Sequence, residues 1–513
     1  MSVIKRRHLK SIQEVGKMQT SLNSNPVDSL AVISNRGAYT FAEENGKLKT
    51  TRSVSGLVSA VEPVLTSNKG IWVSWCGRLD NNRNSQGILA AIPTDQPQYN
   101  VQEIILNEKD YNAYYHGFSN STLWPLAHQM IDKCVFEGEF WHAYRRVNYR
   151  FAQITVRVTQ QNDLFWVHDY HLMLAPKLIR RYYPLARIAF FWHIPFPPLD
   201  VFQLLPWGKQ LLQGLLGSDL VAFHTRSYVN NFLACVEHYF PAKINQEKGT
   251  IRLRDRRIMV RDLPVGIDWR RFEQLAANPL VRQRAHEIRS AIGSEYLLLG
   301  IDRLDYTKGI PEKIKALGEF LKKYPRYRSK VSLLQIGVPT RNGADTYDLY
   351  RQKIAQVVGE INGLYDQGYG AVPVRYLNRS LDETELVAHY LAADVMMVTP
   401  VRDGLNLVAK EFVASRNDGN GVLLLSTYAG AAEQLEGALL ANPYDYEQLA
   451  VKIKKALEMS AAEKQEHLRI LKQSVVNKDI QWWWQTNLKL IAVSSIRPVT
   501  EEGISSSKAA RLS

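Results

Sequence analysis

A chain of 513 residues, 45% hydrophobic and 22% charged, is too long for one ordinary core and too apolar to stay unfolded, so two globular domains are expected. Its 64 Lys and Arg against 50 Asp and Glu give a formal charge of +14, but the cations are scattered, which argues against nucleic acid and for small anionic ligands. No run approaches the roughly 18 apolar residues of a membrane span, and no apolar signal segment follows the basic start Lys5-Arg6-Arg7, so no membrane partner is expected.

In chain order, residues 1–29 are polar and read as a flexible N-terminal arm. Beyond them short apolar runs alternate with amphipathic segments, the pattern of parallel sheets covered by helices. The predicted strands are LAVIS, IWVSW, DLFWV, RIAFF and DLVAF, then YLLLG, VSLLQI, VPVRYL, DVMMV and GVLLL. Pro264 and Gly266 break the pattern between the two groups, which gives domains at 30–275 and 276–475. A helix at 476–495 carries Trp482-Trp483-Trp484 as a packing surface, and 496–513 read as a disordered tail. Cys76, Cys134 and Cys235 show no CxxC or CxxH spacing, so a reducing, cytoplasmic setting and no structural metal are expected.

The residues after each strand carry the chemistry. DLFWV runs into His168-Asp169, RIAFF into Trp192-His193-Ile194-Pro195, VSLLQI into Val338-Pro339-Thr340-Arg341, and DVMMV into Thr399-Pro400-Val401-Arg402-Asp403-Gly404. In open parallel sheets ligands sit beyond the carboxyl ends of the strands, so two sheets facing each other across a cleft are expected. YLLLG leads into Arg303, Asp305, Lys308, Gly309 and Pro311 at the start of a helical pattern, with Thr307 as the expected cap. A helix N-terminus joined by two cations suits a diphosphate, unless those cations are spent on Asp302 and Asp305. Glu411 lies two turns into the helix after Gly404, within reach of vicinal hydroxyls, or it is an ordinary exposed carboxylate. No strand–GxGxxG–helix unit and no GxxxxGK[ST] occur, so neither a dinucleotide site nor a P-loop is expected.

SNRG at 34–37, YYHGFSN at 114–120, LWPLAH at 123–128, WVHDYHLML at 166–174, HIPFP at 193–197, DRLDYTKGIP at 302–311 and RDGLNLVAKE at 402–411, in that order, resemble the trehalose-6-phosphate synthase family. The resemblance implies an α/β protein of GT-B type: an N-terminal Rossmann-like acceptor domain and a C-terminal nucleotide-sugar domain facing across a cleft, with the last helix crossing back. It implies transfer of glucose from UDP-glucose to glucose 6-phosphate with retention, and no cofactor or obligatory metal. Arg303 and Lys308 resemble the donor-diphosphate clamp and, with Asp169 and His193, make the implied catalytic set. Glu411 resembles the ribose-binding carboxylate, Leu407, Val408, Ala409 and Lys410 the segment under the donor phosphates, and Leu381 the residue whose backbone reads the uracil. Gly56 resembles the end of a Gly-Gly loop over the donor; Ser55 stands where the family has its first Gly, and Ser restricts φ there.

On the acceptor side, Arg36, Tyr115 and Arg341 resemble the phosphate-binding set, Trp75 and Trp124 the aromatic walls, and Asp169 and Asp403 the nearby carboxylates. Two guanidiniums suit a phosphate dianion. Two rivals remain. Leu405 and the Leu205-Pro206-Trp207 turn lean towards glucosylglycerol-phosphate synthase, a relative that takes glycerol 3-phosphate. A catalytically silent sugar-phosphate sensor is the other, and the presence of the whole clamp speaks against it. The expected partners are UDP-glucose and a sugar phosphate, with a homo-oligomer left open.

Overall fold

The computed structural model describes residues 29–44, 47–53, 56–82, 87–93, 96–254, 256–339 and 345–494. Its first strand, β1 (Leu30–Arg36), is buried over six of seven residues, because apolar side chains leave it on both faces. A polar hairpin, β2 (Tyr39–Glu44) and β3 (Lys47–Arg52), stands apart, and helix α1 (Gly56–Asn68) comes next. The rest of the first sheet is β4 (Ile71–Leu79), β5 (Leu89–Ile92), β6 (Tyr99–Leu106), β7 (Leu164–His168), β8 (Arg187–Phe191), β9 (Leu220–Phe223), β10 (Lys243–Asn245), β11 (Thr250–Leu253) and β12 (Arg256–Asp262). Helix α2 (Arg226–Tyr239) covers β9 and β12.

The order in this sheet is β10-β11-β12-β9-β8-β7-β1-β4-β6-β5, parallel from β12 to β6. The chain therefore builds outward from β1 in one direction and then from β7 in the other, and the strand order reverses between them. The second sheet repeats the plan with β13 (Tyr296–Arg303), β14 (Val331–Val338), β15 (Val374–Asn378), β16 (Val395–Val398), β17 (Val422–Ser426) and β18 (Leu439–Ala441). Its order is β15-β14-β13-β16-β17-β18, all parallel, with the reversal between β13 and β16. Helix α3 (Ile310–Lys323) follows β13, α4 (Leu407–Ser415) follows β16, and α5 (Ile480–Ser494) ends the described chain. A GT-B architecture results, each sheet opening a crevice at its own reversal.

Alternate residues of each strand feed different cores. Ala31 and Ile33 join a cluster on one face of the first sheet, and Leu298 one on the second. Val32, Trp166, Leu299, Leu425 and Trp483 belong to a third cluster that runs through both halves. The passage between the sheets is the extended stretch 263–268. Three of its carbonyls are taken in alternation: Leu263 O accepts from Trp483 Nε1 at 3.1 Å, Val265 O from Lys410 Nζ at 2.7 Å and Ile267 O from Ile480 N at 3.2 Å. Gly266 is required because a Cβ there would lie 2.3 Å from the Asp479 carbonyl oxygen. Helix Trp269–Ala277 already packs on α4, so we place the boundary between the halves at 263–268, ahead of the expected 275. The residues before the passage are strand β12.

Candidate active site

At the second reversal the clamp takes a form that the sequence does not predict. Asp302 is fully engaged elsewhere, 2.6 Å from the buried Lys313 ammonium, and Asp305 accepts from the Thr307 amide and hydroxyl at 3.0 and 2.8 Å. Thr307 therefore does not cap α3. The first amide of that helix donates to Tyr350 Oη at 3.1 Å, so α3 is not the open anion site that its sequence suggested. Lys308 instead reaches across to Asp403, Nζ to Oδ2 2.5 Å, between the loops after β13 and β16. Asp403 also accepts from Asn406 Nδ2 at 3.0 Å. Burial works to raise its pKa, but the Lys308 ammonium and the Asn406 amide outweigh that and hold it below the usual range. Arg303 is exposed at the end of β13, its guanidinium 5.7 Å from the Trp124 ring of the first half.

Helix α4 is the open N-terminus. Asn406, at φ 82°, caps it by accepting from Ala409 N at 3.2 Å, which leaves the Leu407 and Val408 amides at the positive end of the helix. Asn406 was missed in the sequence; Asn tolerates positive φ and is a preferred cap, and that was the available signal. Lys410 sends its ammonium away from this end to Val265 O, so its side chain ties the helix to the passage. Burial, with Lys478 nearby, pushes that ammonium down to about 7. Glu411 receives the Tyr390 hydroxyl at 3.0 Å, and burial pushes its carboxyl up to about 7. If Glu411 takes ribose hydroxyls as the family resemblance implies, a proton on it would compete with them for the same oxygens. Uridine diphosphate should thus bind about tenfold more tightly at about pH 8 than at about pH 6, and Glu411→Gln should remove that difference in calorimetry.

Two contacts bring the halves together here. A Cβ on Gly56, at the start of α1, would lie 3.1 Å from Leu407 Cδ1. A Cβ on Gly404 would lie 2.4 Å from His193 O and 2.8 Å from Ile194 Cα, and backbone cannot be moved aside by a rotamer change. Tyr228 Oη, on α2, donates to Asp403 O at 3.1 Å beside them. Gly404→Ala should cost about 1–3 kcal/mol and lower thermal stability and turnover together; full turnover would show that these loops are apart in the working protein.

At the first reversal Asp169 follows β7 at φ 72° and ψ 164°, a region that non-glycine residues enter only under constraint. Its Oδ1 accepts from Tyr170 N at 3.0 Å and from His193 N at 3.2 Å. His193 Nε2 lies 3.0 Å from His168 Nδ1, and burial pushes the His193 imidazole down to about 3. His168 was in the motif but not in the predicted site.

Arg36, at the end of β1, is exposed among aromatic rings. Its guanidinium stands 5.1 Å from the Trp75 ring and 5.2 Å from the Tyr115 ring, with Nη2 3.4 Å from Tyr111 Oη. Tyr115 is delivered by a helix of i→i+5 type, Asn112–Leu123, a form frequent at functional sites. Trp75 spends its indole N–H on Arg78 O at 2.9 Å, so it offers a ring face and no donor. Trp124 packs 4.3 Å from His128 and 5.9 Å from Tyr170, buried but adjoining Arg303. Leu381 is half-buried just ahead of the helix that Asp382 caps. Ser55 and Arg341 lie outside the described residues. Among the described residues no group of His, Cys, Asp or Glu is arranged to hold a metal ion.

Residues 28–492 match glycosyltransferase family 20. The chain is 40% identical over 457 residues to the trehalose-6-phosphate synthase of Mycobacterium leprae, covering 88% of this chain and 91% of that one. Two of the solved structures that share its fold carry ligands. The trehalose-6-phosphate enzyme of E. coli bound with UDP-2-fluoro glucose superposes with a TM-score of 0.82 at 31% identity, over 90% of this chain and 99% of that one. The UDP-forming α,α-trehalose-phosphate synthase of Burkholderia xenovorans in complex with glucose 6-phosphate gives 0.81 at 31%, over 90% and 100%.

Proposed function

The chain belongs to glycosyltransferase family 20, and we infer from that membership and from its site that it moves glucose from UDP-glucose to glucose 6-phosphate with retention, releasing UDP and α,α-trehalose 6-phosphate. The observation that carries the reading is the junction of the two strand-order reversals: the Arg36 aromatic box lies at one, the Lys308 and Arg303 cations and the α4 amides at the other.

In the reaction the bond from the anomeric carbon to the diphosphate breaks, and a bond to the anomeric hydroxyl oxygen of the acceptor forms on the same face. The leaving diphosphate takes the acceptor's proton, so no enzymic nucleophile is needed. Negative charge grows on the diphosphate as it leaves. Arg303, Lys308 and the Leu407 and Val408 amides are placed to meet it, a preorganised stabilisation that costs no reorganisation in the transition state. Glu411 takes the ribose hydroxyls, the Leu381 backbone the uracil, and Gly56, beside Leu407, faces the donor. His193 meets the donor sugar. Arg36, Tyr115 and Arg341 hold the acceptor phosphate between the Trp75 and Trp124 walls, with Asp169 and Asp403 beside the hydroxyls. No described helix is long and apolar enough to cross a membrane. Cys76 and Cys235 are buried thiols, in keeping with a cytoplasmic enzyme.

The features that lean towards glycerol 3-phosphate are packing features. Leu405 is buried in the shared core, and Trp207 stacks on Trp141 at 5.5 Å. The deciding experiment supplies UDP-glucose with either acceptor and identifies the phosphorylated product. A higher kcat/KM with glycerol 3-phosphate would overturn the acceptor, and binding of both sugars without turnover would favour the sensor.

A further inference from the structure

Three neighbouring strands, β7, β8 and β9, bring a histidine each to their carboxyl ends: His168, His193 and His224. His193 is held at its backbone N–H and at one ring nitrogen. Its backbone N–H donates to Asp169 Oδ1 at 3.2 Å, its Nε2 faces His168 Nδ1 at 3.0 Å, and its ring packs 5.5 Å from the His224 ring. The His168 and His193 rings are 22° from parallel with centroids 5.3 Å apart, the geometry of a hydrogen bond lying in both ring planes. Among the described residues nothing hydrogen-bonds His193 Nδ1, and His193 is the partly exposed member of the trio. His168 is 0% exposed, packed 4.7 Å from the Trp166 ring and 6.5 Å from the Trp483 ring, and its Nε2 has no hydrogen-bond partner among the described residues.

Burial keeps both rings neutral, so each carries one proton and they share one N–H···N bond. Only two arrangements satisfy that. Either both rings are protonated on Nδ1 and His168 donates, or both are protonated on Nε2 and His193 donates. The second would leave a buried N–H on His168 Nε2 with no acceptor; the first leaves only a lone pair there, and buried donors are orphaned more rarely than acceptors. We propose that His168 is a positioning residue that locks His193 in its Nδ1–H form, so that His193 offers a hydrogen-bond donor to a hydroxyl oxygen of the donor sugar. This rests on the reading of His193 as a donor-sugar residue.

The test joins spectroscopy to kinetics. In full-length protein with ¹⁵N-labelled histidine, His193, assigned with His193→Gln, should show a protonated Nδ1 and a bare Nε2; the opposite pattern overturns the proposal without any variant. His168→Asn keeps an N–H donor near the Nδ1 position, and His168→Leu fills the volume without one. The Leu variant should mix the two His193 forms and lower kcat by about tenfold to a hundredfold, with KM for glucose 6-phosphate unchanged; Asn should restore most of both. Unchanged kcat in the Leu variant, or equal loss in Asn and Leu, refutes the positioning role. If the wild type makes no trehalose 6-phosphate the functional reading fails, and the tautomer result still decides the hydrogen bond.

Discussion

Lys308→Ala is expected to lower kcat for glucosyl transfer by about 10²–10³ while the protein stays folded. The side chain is 10% exposed and its ion pair to Asp403, at 2.5 Å, spans two loops above the sheet and not the core beneath it. That pair keeps the ammonium in place and Asp403 ionised. A diphosphate bound here is expected to compete with Asp403 for the same charge, with the attraction greatest when the leaving group is fully developed. Removing Lys308 takes away this stabiliser and leaves Asp403 as an uncompensated negative charge beside the diphosphate. The loss should therefore fall towards the upper end of the range. Adding Asp403→Asn to Lys308→Ala should recover part of it, since the repulsion goes with the carboxylate. Steady-state kinetics with circular dichroism as the folding control measures both; near-normal turnover in Lys308→Ala would remove the clamp assignment.

Arg36→Ala should raise KM for glucose 6-phosphate at least about tenfold and leave the UDP dissociation constant nearly unchanged. A charge-assisted hydrogen bond contributes about 1.5–3 kcal/mol, and each 1.4 kcal/mol is about tenfold in affinity. The guanidinium is held ready by the Trp75 and Tyr115 rings and Tyr111 Oη, so little ordering entropy is lost when phosphate binds. Arg36→Lys should recover only part of the loss, because an ammonium neither stacks on two rings nor binds a phosphate bidentately. An unchanged KM in Arg36→Ala, with donor affinity lowered instead, would move the phosphate site elsewhere.

The strands that were legible in the sequence are those buried on both faces, such as Arg187–Phe191 and Val395–Val398, where the apolar run is continuous. Strand β6 was not. It carries Gln102 and Glu103 among its buried residues, and Glu103 is admitted to the interior because Arg78 pairs with it at 2.5 Å and Ile88 N donates to it at 3.1 Å. The strands β10 to β12 and the hairpin β2–β3 were also missed: they are short and charged, and each buries at most two apolar residues, such as Tyr39 and Phe41 in β2 or Ile258 and Val260 in β12, too few to stand out as an apolar run.

The local sequence by itself determined which residues stand beyond the strand ends, because each strand is a contiguous apolar run and the next residues in the chain must emerge at its carboxyl end. It thereby placed Arg36, Asp169, His193, Arg303 and the 402–411 segment at the mouths of two sheets. The partners that each side chain then meets were decided only by the tertiary structure. Lys308 meets Asp403 across 95 positions, Lys410 turns from the donor helix to Val265 across 145, and His168 meets His193 across 25. The reason is physical: charge pairing and hydrogen bonding in a buried crevice depend on distance and orientation between loops of different strands, and no local pattern encodes the strand order that makes those loops neighbours.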